Sequence, residues 1–201
     1  MKHGNDNMRI FLSVLVLIFS FQSWAKANDI SDFEIEGISI GDSLLDIFRK
    51  NEIDSIDPTY YPNSKKFHDV PIVSSIFKNY DQITFGLKAD DGRYIIYSIA
   101  GQLYYENNFK GCMKKKREIT NELSSLFSEQ ERFDYTSYFS EIDDGKSFSE
   151  VTDFQFKDKS VIRIYCTDWT LETEKKRGFF DMLAIDATSK EYIKWLDNEA
   201  Y

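Results

Sequence analysis

The sequence predicts an α+β fold, an antiparallel β-sheet covered by two or three α-helices. Three observations carry this. Segments around 83–99 and 154–166 alternate apolar and polar residues, the period of strands with one buried face. Segments 108–127 and 188–196 place apolar residues three and four apart, as helices covering such a face do. Short runs rich in Asp, Gly, Lys and Ser sit between the alternating segments, where hairpins turn.

Taken in order, Phe33-Glu34-Ile35 alternates as a short extended piece. Gly41-Asp42-Ser43 then turns the chain into Leu44, Leu45, Ile47 and Phe48, which share a helix face. Residues 51–80 contain all three prolines (Pro58, Pro62 and Pro71), each of which keeps its predecessor out of helix. This stretch reads as irregular, either a functional loop or a flap over the core. Next, Ile83, Phe85 and Leu87 face Ile95, Tyr97 and Ile99 across Asp90-Asp91-Gly92. With Gly92 left-handed, 87 aligns with 95, 85 with 97 and 83 with 99. Gly101 is expected to bulge or bend the chain before Leu103–Tyr105. Asn107 or Asn108 caps the 108–127 helix.

The second half follows a similar order. Phe154 and Phe156 alternate, Asp158-Lys159-Ser160 turns, and Ile162, Ile164 and Cys166 answer, aligning 156 with 162, 154 with 164 and 152 with 166. After the charged run Glu172–Arg177, FFDMLAID reads as a strand. Thr188 and Glu191 have capping-box spacing ahead of Tyr192, Ile193, Trp195 and Leu196. Each half is thus hairpin, strand, helix, a loose tandem repeat of element order.

The first 27 residues read as an address. The run Ile10–Phe21 is apolar but shorter than the about 20 residues a stable membrane-crossing helix needs. Ala25-Lys26-Ala27 follows it with the small-x-small pattern of signal cleavage, and Met8 with Arg9 makes a better start than Met1. Residues 1–27 are therefore expected to be a cleaved signal peptide, and 28–201 one mature α+β domain, exported to the periplasm of a Gram-negative bacterium or otherwise secreted. Cleavage removes Lys2, Arg9, Lys26 and Asp6 from 25 basic and 34 acidic residues, leaving 22 against 33 and a formal charge of −11. Such a chain repels phosphate backbones and anionic lipid, which argues against nucleic acid as partner. No stable membrane insertion is expected after cleavage.

Export makes the two cysteines, Cys112 and Cys166, an expected disulfide. Cys112 is in phase with Ile119, Leu123 and Leu126 on its helix, and Cys166 with Ile162 and Ile164 on its strand, so both face a core. Their separation is too wide for a redox-active pair.

Chemistry-bearing residues are few. His68, beside Asp69, is the one histidine after the signal, so triads and zinc sites have little to draw on. No Gly-x-Ser-x-Gly elbow and no glycine-rich phosphate loop occurs. Asp90-Asp91 and Asp143-Asp144-Gly145 are explained by turn chemistry without a metal. Asp153 should face away from the core beside Tyr165, Asp168 continues the inward phase of Cys166, and Asp181 shares a face with Phe179, Leu183 and Ile185. Paired acids of this kind are what a glycosidase needs. Tyrosines 60, 61, 104, 105, 135 and 138 cannot all point inward, and they serve either as wet core-edge rings or as a binding face. Lys114-Lys115-Lys116-Arg117 wraps more than half a helical turn, which places one member near the core.

The stretch Gly37-Ile38-Ser39-Ile40-Gly41-Asp42-Ser43-Leu44 resembles the glycine-to-helix passage of small exported domains such as the outer-membrane assembly lipoprotein and β-lactamase inhibitor protein families. The resemblance implies helices on antiparallel strands and a protein-binding role, although no lipoprotein cysteine follows the apolar run. The expected function is a non-enzymatic envelope or secreted module that binds a protein or is structural, with no cofactor, metal or catalytic residue assigned. The alternative is a small exported hydrolase using carboxylates on a glycan or peptide.

Overall fold

The computed structural model describes residues 29–139 and 145–201. The expected signal peptide and the pair Asp143-Asp144 lie outside these residues.

One antiparallel sheet of eight strands dominates. Its strands are β3 (Thr59–Tyr60), β4 (Phe67–Ile72), β5 (Gln82–Lys88), β6 (Ile96–Tyr104), β7 (Glu131–Tyr138), β8 (Phe148–Gln155), β9 (Val161–Asp168) and β10 (Met182–Thr188). Their order is β3-β4-β5-β6-β10-β9-β8-β7. The first half of the chain is thus one four-stranded meander and the second half another, joined where β6 meets β10. A separate ribbon pairs β1 (Glu34–Ile35) with β2 (Ile38–Ser39). The helices are α1 (Lys50–Asp54), α2 (Phe109–Leu126), α3 (Leu171–Arg177) and α4 (Lys190–Trp195), the last running into a π-helical turn, Leu196–Ala200. Each meander is followed by a helix, so the expected repeat exists as four strands and a helix rather than hairpin, strand, helix. The third strand assigned to the first half is the end of β6, and α3 interrupts the second meander.

The two faces of the sheet differ. One carries the main core, where Ile83, Phe85, Ile99, Leu183, Ile185, Ile162, Ile164 and Phe154 meet the N-terminal segment and α2. Helix α2 runs across β9 and β10, burying Cys112, Lys116, Thr120 and Leu123 at three- and four-residue spacing. Asn108 caps it, with Oδ1 accepting the Gly111 N–H. Cys112 and Cys166 form the expected disulfide, Cα atoms 6.0 Å apart, tying α2 to β9. On the opposite face, α4 packs Tyr192 and Trp195 against Phe67, with Tyr97 beside them. That cluster covers only the β4–β6 end.

Several expectations need correction. Residues 44–48 make a single 3-10 turn, Leu44–Asp46, and the helix is α1 further on. The segment 51–80 is not irregular: it contributes α1, β3 and β4. Pro71 fits inside β4 because β3 pairs only with His68 and Asp69, leaving the outer edge open at the proline. In the β5–β6 hairpin, Leu87 pairs with Ile96, Phe85 with Ile99 and Ile83 with Gly101, with a bulge at Gly86/Leu87. The register differs because Ile95 is taken by Ser43 of the N-terminal segment, whose neighbours bond Tyr94 and Ile96. Tyr94, not Gly92, has the positive φ, 53°. Gly101 lies within β6 without a bend, where the Tyr80 ring would meet a Cβ at 2.5 Å. In the β8–β9 hairpin, 154 pairs with 162 and 152 with 164, two residues tighter than expected. Ser160 leaves the expected loop to pair with Phe156, whose N–H donates to the Ser160 carbonyl at 2.9 Å, and Asp158 holds it there by accepting from both its N–H and its Oγ. A two-residue slip keeps the same faces inward. The closing helix is capped by Ser189, since Thr188 is still in β10, and Glu191 pairs instead with Lys88 at 2.9 Å.

Gly86 has a packing reason. A Cβ there would lie 2.7 Å from the Tyr192 ring and 2.8 Å from Ser98 Cβ. Gly86→Ala is expected to destabilise the fold by about 1–3 kcal/mol, read from the urea midpoint, because ring and strand cannot both retreat. An unchanged midpoint would show that α4 gives way freely.

Candidate functional site

The face of the sheet opposite the main core is where polar side chains collect. Alternation sends Met182, Ala184, Asp186 and Thr188 of β10 to this side, while Leu183, Ile185 and Ala187 point into the core. The ladder sets Ala100 of β6 and Arg163 of β9 opposite Asp186, and Asp153 of β8 opposite Arg163. Three charged residues therefore stand in one row on adjacent strands, with Phe133 of β7 as the next partner in line. The small side chain of Ala100, opposite Asp186, leaves room in front of them. The result is a cleft of about 420 Å³, bounded by the row on one side and by Tyr61, Tyr192 and Leu196 on the other.

Arg163 is committed to one acid. Its Nε and Nη2 donate to Asp153 Oδ1 and Oδ2, each at 2.8 Å, and Tyr135 Oη adds a third bond to Oδ2 at 3.1 Å. This fork holds the Arg163 guanidinium well above its ordinary pKa. Asp186 receives less. Thr188 Oγ1 donates to its Oδ1 at 3.4 Å, a long bond, and Oδ2 has no donor among the described residues. Although Asp186 opens onto the cleft, desolvation by the surrounding protein raises its carboxyl to about 7; the Arg163 charge opposes the rise and Asp153 adds to it. Burial also raises the nearby Tyr165 hydroxyl.

The cleft's far wall is a second carboxylate site. Asp69 Oδ1 accepts from Tyr192 Oη at 2.6 Å and Oδ2 from Tyr61 Oη at 2.8 Å. Burial pushes the Asp69 carboxyl up, and the two tyrosine bonds partly offset that. With both oxygens satisfied, Asp69 anchors α4 to β4.

Elsewhere, His68 lines a second cavity of about 470 Å³ with Tyr60, Asp54 and Asp90. Its Nδ1 is buried without a partner among the described residues, and desolvation lowers its pKa while Asp69 opposes the shift. Asp90-Asp91-Gly92 is a turn, with Asp91 held by Arg93. Asp168 and Asp181 lie near each other, and burial, followed by the Asp181 charge, raises the Asp168 carboxyl. Asp181 is buried and accepts the Trp169 N–H at 2.8 Å, a structural role. Neither acid lines either cavity. Lys116 is the inward member of the basic run; its Nζ donates to Thr152 Oγ1 at 2.6 Å, and burial lowers its pKa. Lys115 pairs with Glu118 at 3.7 Å. Tyr60, Tyr104, Tyr135 and Tyr138 are exposed, Tyr105 is half-buried, and Tyr61 is tied to Asp69. No group of three or more His, Cys, Asp or Glu suited to a metal occurs among the described residues.

Sequence reasoning set Asp153 on the side away from the core, as found, but expected it beside Tyr165, whereas it is buried opposite Arg163; Arg163 and Asp186 were missed. The alternation of MLAIDAT would have put Asp186 on that same outward face. Nothing local reveals that β10 is central and places it two strands from Asp153. No family model, curated protein or solved structure matches the chain.

Proposed function

We propose that this chain is an exported, non-enzymatic binding module that engages a partner protein through the polar face of its sheet. The carrying observation is the asymmetry of covering. Helices and the N-terminal segment cover one face, whereas on the other α4 covers only the β4–β6 end and leaves a cleft lined by Asp186, Arg163 and Asp153, with exposed Phe133 and Tyr135 beside them. Aromatic rings beside a fixed charged row give both buried area and orientation, the usual parts of a recognition surface. The apolar run with Ala25-Lys26-Ala27 and the Cys112–Cys166 bond support export.

The test is comparative capture from the native envelope with the oxidised protein and its Ala100→Trp variant, in which the indole fills the cleft opposite Asp186. A partner retained by the first and lost at least about tenfold by the second, with unchanged circular dichroism, is the expected result. Equal capture by both would place any binding elsewhere.

A second reading, carboxylate-based hydrolysis, draws on Asp186, a carboxyl raised to about 7 in a cleft that holds another acid. Against it, Asp153 has both oxygens engaged by Arg163 and Tyr135. Turnover of a glycan or peptide that disappears in Asp186→Asn would favour hydrolysis over binding alone.

A further inference from the structure

We infer that the cleft receives a protonated amine or guanidinium from the partner, a lysine or arginine side chain docked on Asp186. This rests on the binding reading above and names its chemistry. The charge count within the cleft is the first argument. Asp69, Asp153, Asp186 and Asp197 line it against one cation, Arg163. Among these, Asp69 is satisfied by two tyrosine hydroxyls, and Asp153 consumes the Arg163 fork. Asp186, which lines the cavity, is left with one long bond from Thr188 to Oδ1 and no donor to Oδ2 among the described residues. A carboxylate accepts several hydrogen bonds, and a cation brings two or three donors together with the missing charge.

The walls suit the same ligand. Tyr165 stands diagonally across from Asp186, and Tyr192 and Tyr61 form the α4 side, so aromatic faces are at hand for a cation. The open small-residue floor at Ala100 admits the aliphatic stem of a long side chain. An anionic ligand would have to approach four carboxylates with the guanidinium already spoken for.

Titration follows from the same geometry. The groups facing Asp186 are Arg163 and Tyr165 from β9, Asp153 from β8, Tyr135 from β7, Asp69 from β4, and Tyr192 with Asp197 from the closing helix. Only the carboxylate form of Asp186 pairs with a cation, so docking expels its proton and strengthens as pH rises through about 7.

The probe is an acetylated, amidated glycine pentapeptide with a central lysine, beside its arginine and norleucine counterparts, titrated calorimetrically into the full oxidised protein. The lysine and arginine peptides are expected to bind about tenfold more tightly at about pH 8 than at about pH 6, with proton release, and the norleucine peptide not at all. Asp186→Asn, which keeps the side chain's size, is expected to lose both the binding and its pH dependence. Ala100→Trp should lose binding with Asp186 intact, so a folding defect in one variant does not decide the matter. Equal affinity at the two pH values, undiminished binding by Asp186→Asn, binding of norleucine, or no binding of any peptide overturns the inference. Capture of the natural partner separates the two readings. If Ala100→Trp loses the partner while Asp186→Asn holds it fully, the face still binds and the cationic ligand is wrong.

Discussion

Replacing Cys112 and Cys166 together by alanine is expected to cost about 4 kcal/mol. The bond closes a loop of sequence separation 54, which contains β7, β8 and most of β9 as well as most of α2. In the chain-entropy account, opening that loop frees the unfolded ensemble by about this amount. The folded side loses a contact too, because both sulfurs sit at the interface of α2 with β9, almost wholly buried. A fall in melting temperature of about 10 °C by circular dichroism is the expected readout. A reducing agent applied to the wild-type protein should reproduce most of it. A loss under about 1 kcal/mol would mean that apolar packing already holds α2 against β9 without the bond.

Arg163→Met is expected to cost about 3 kcal/mol near pH 8 and clearly less near pH 5. That is the lower end for breaking a buried ion pair, chosen because Arg163 keeps 42% of its side chain exposed while Asp153 keeps 12%. The methionine fills similar space but leaves Asp153 without its fork and Asp186 without a neighbouring positive charge. The sign with pH comes from Asp186. Its carboxyl is raised in the folded protein to about 7, above its unfolded value, so the native state holds a proton that the unfolded state has released. Its contribution to stability is therefore lost as pH climbs from the unfolded value to about 7, and stays lost above that. Removing Arg163 deepens the high-pH penalty, while near pH 5 the acid is neutral and feels the missing cation little. Urea melts at the two pH values measure the difference. A cost independent of pH would mean that Asp186 does not feel Arg163.

Much of the fold was legible. The segments 83–87, 154–156 and 162–166 lie on or beside strands with the inward faces expected, because alternation is a local pattern enforced by one buried face. In 95–99 the expected face of Ile95, Tyr97 and Ile99 is broken, since Ile96 joins Ile99 in the core and Tyr97 packs on the other side with α4. Of the strands that escaped, β4 and β7 did so for opposite reasons. Strand β4 contains Pro71, tolerated at an edge that sequence cannot identify. Strand β7 is exposed throughout its middle, so Glu131–Tyr138 shows no buried period to read. Hairpin registers were off by one or two residues because competing partners, Ser43 for Ile95 and Asp158 for Ser160, lie outside the alternation pattern.

The candidate site was legible only in fragments. Asp153 could be placed on the outward face, but a charged residue on an exposed strand face has no stated neighbour until the strands are ordered. Here β9 lies between β8 and β10, and that order alone turns Arg163 into Asp153's partner and Asp186 into the acid left over.

The sequence by itself determined the α+β class, the inward faces of β5, β9 and β10, the apolar side of α2 and the orientation of both cysteines toward one core. Each of these follows from periodicity and side-chain chemistry within a single segment. The tertiary structure alone decided that two meanders fuse at β6 and β10, that α4 covers only one end of the second face, and that the one cation of the row is bonded to Asp153 rather than to Asp186. Those depend on which strands become neighbours, a matter of long-range pairing and closure that local spacing does not encode.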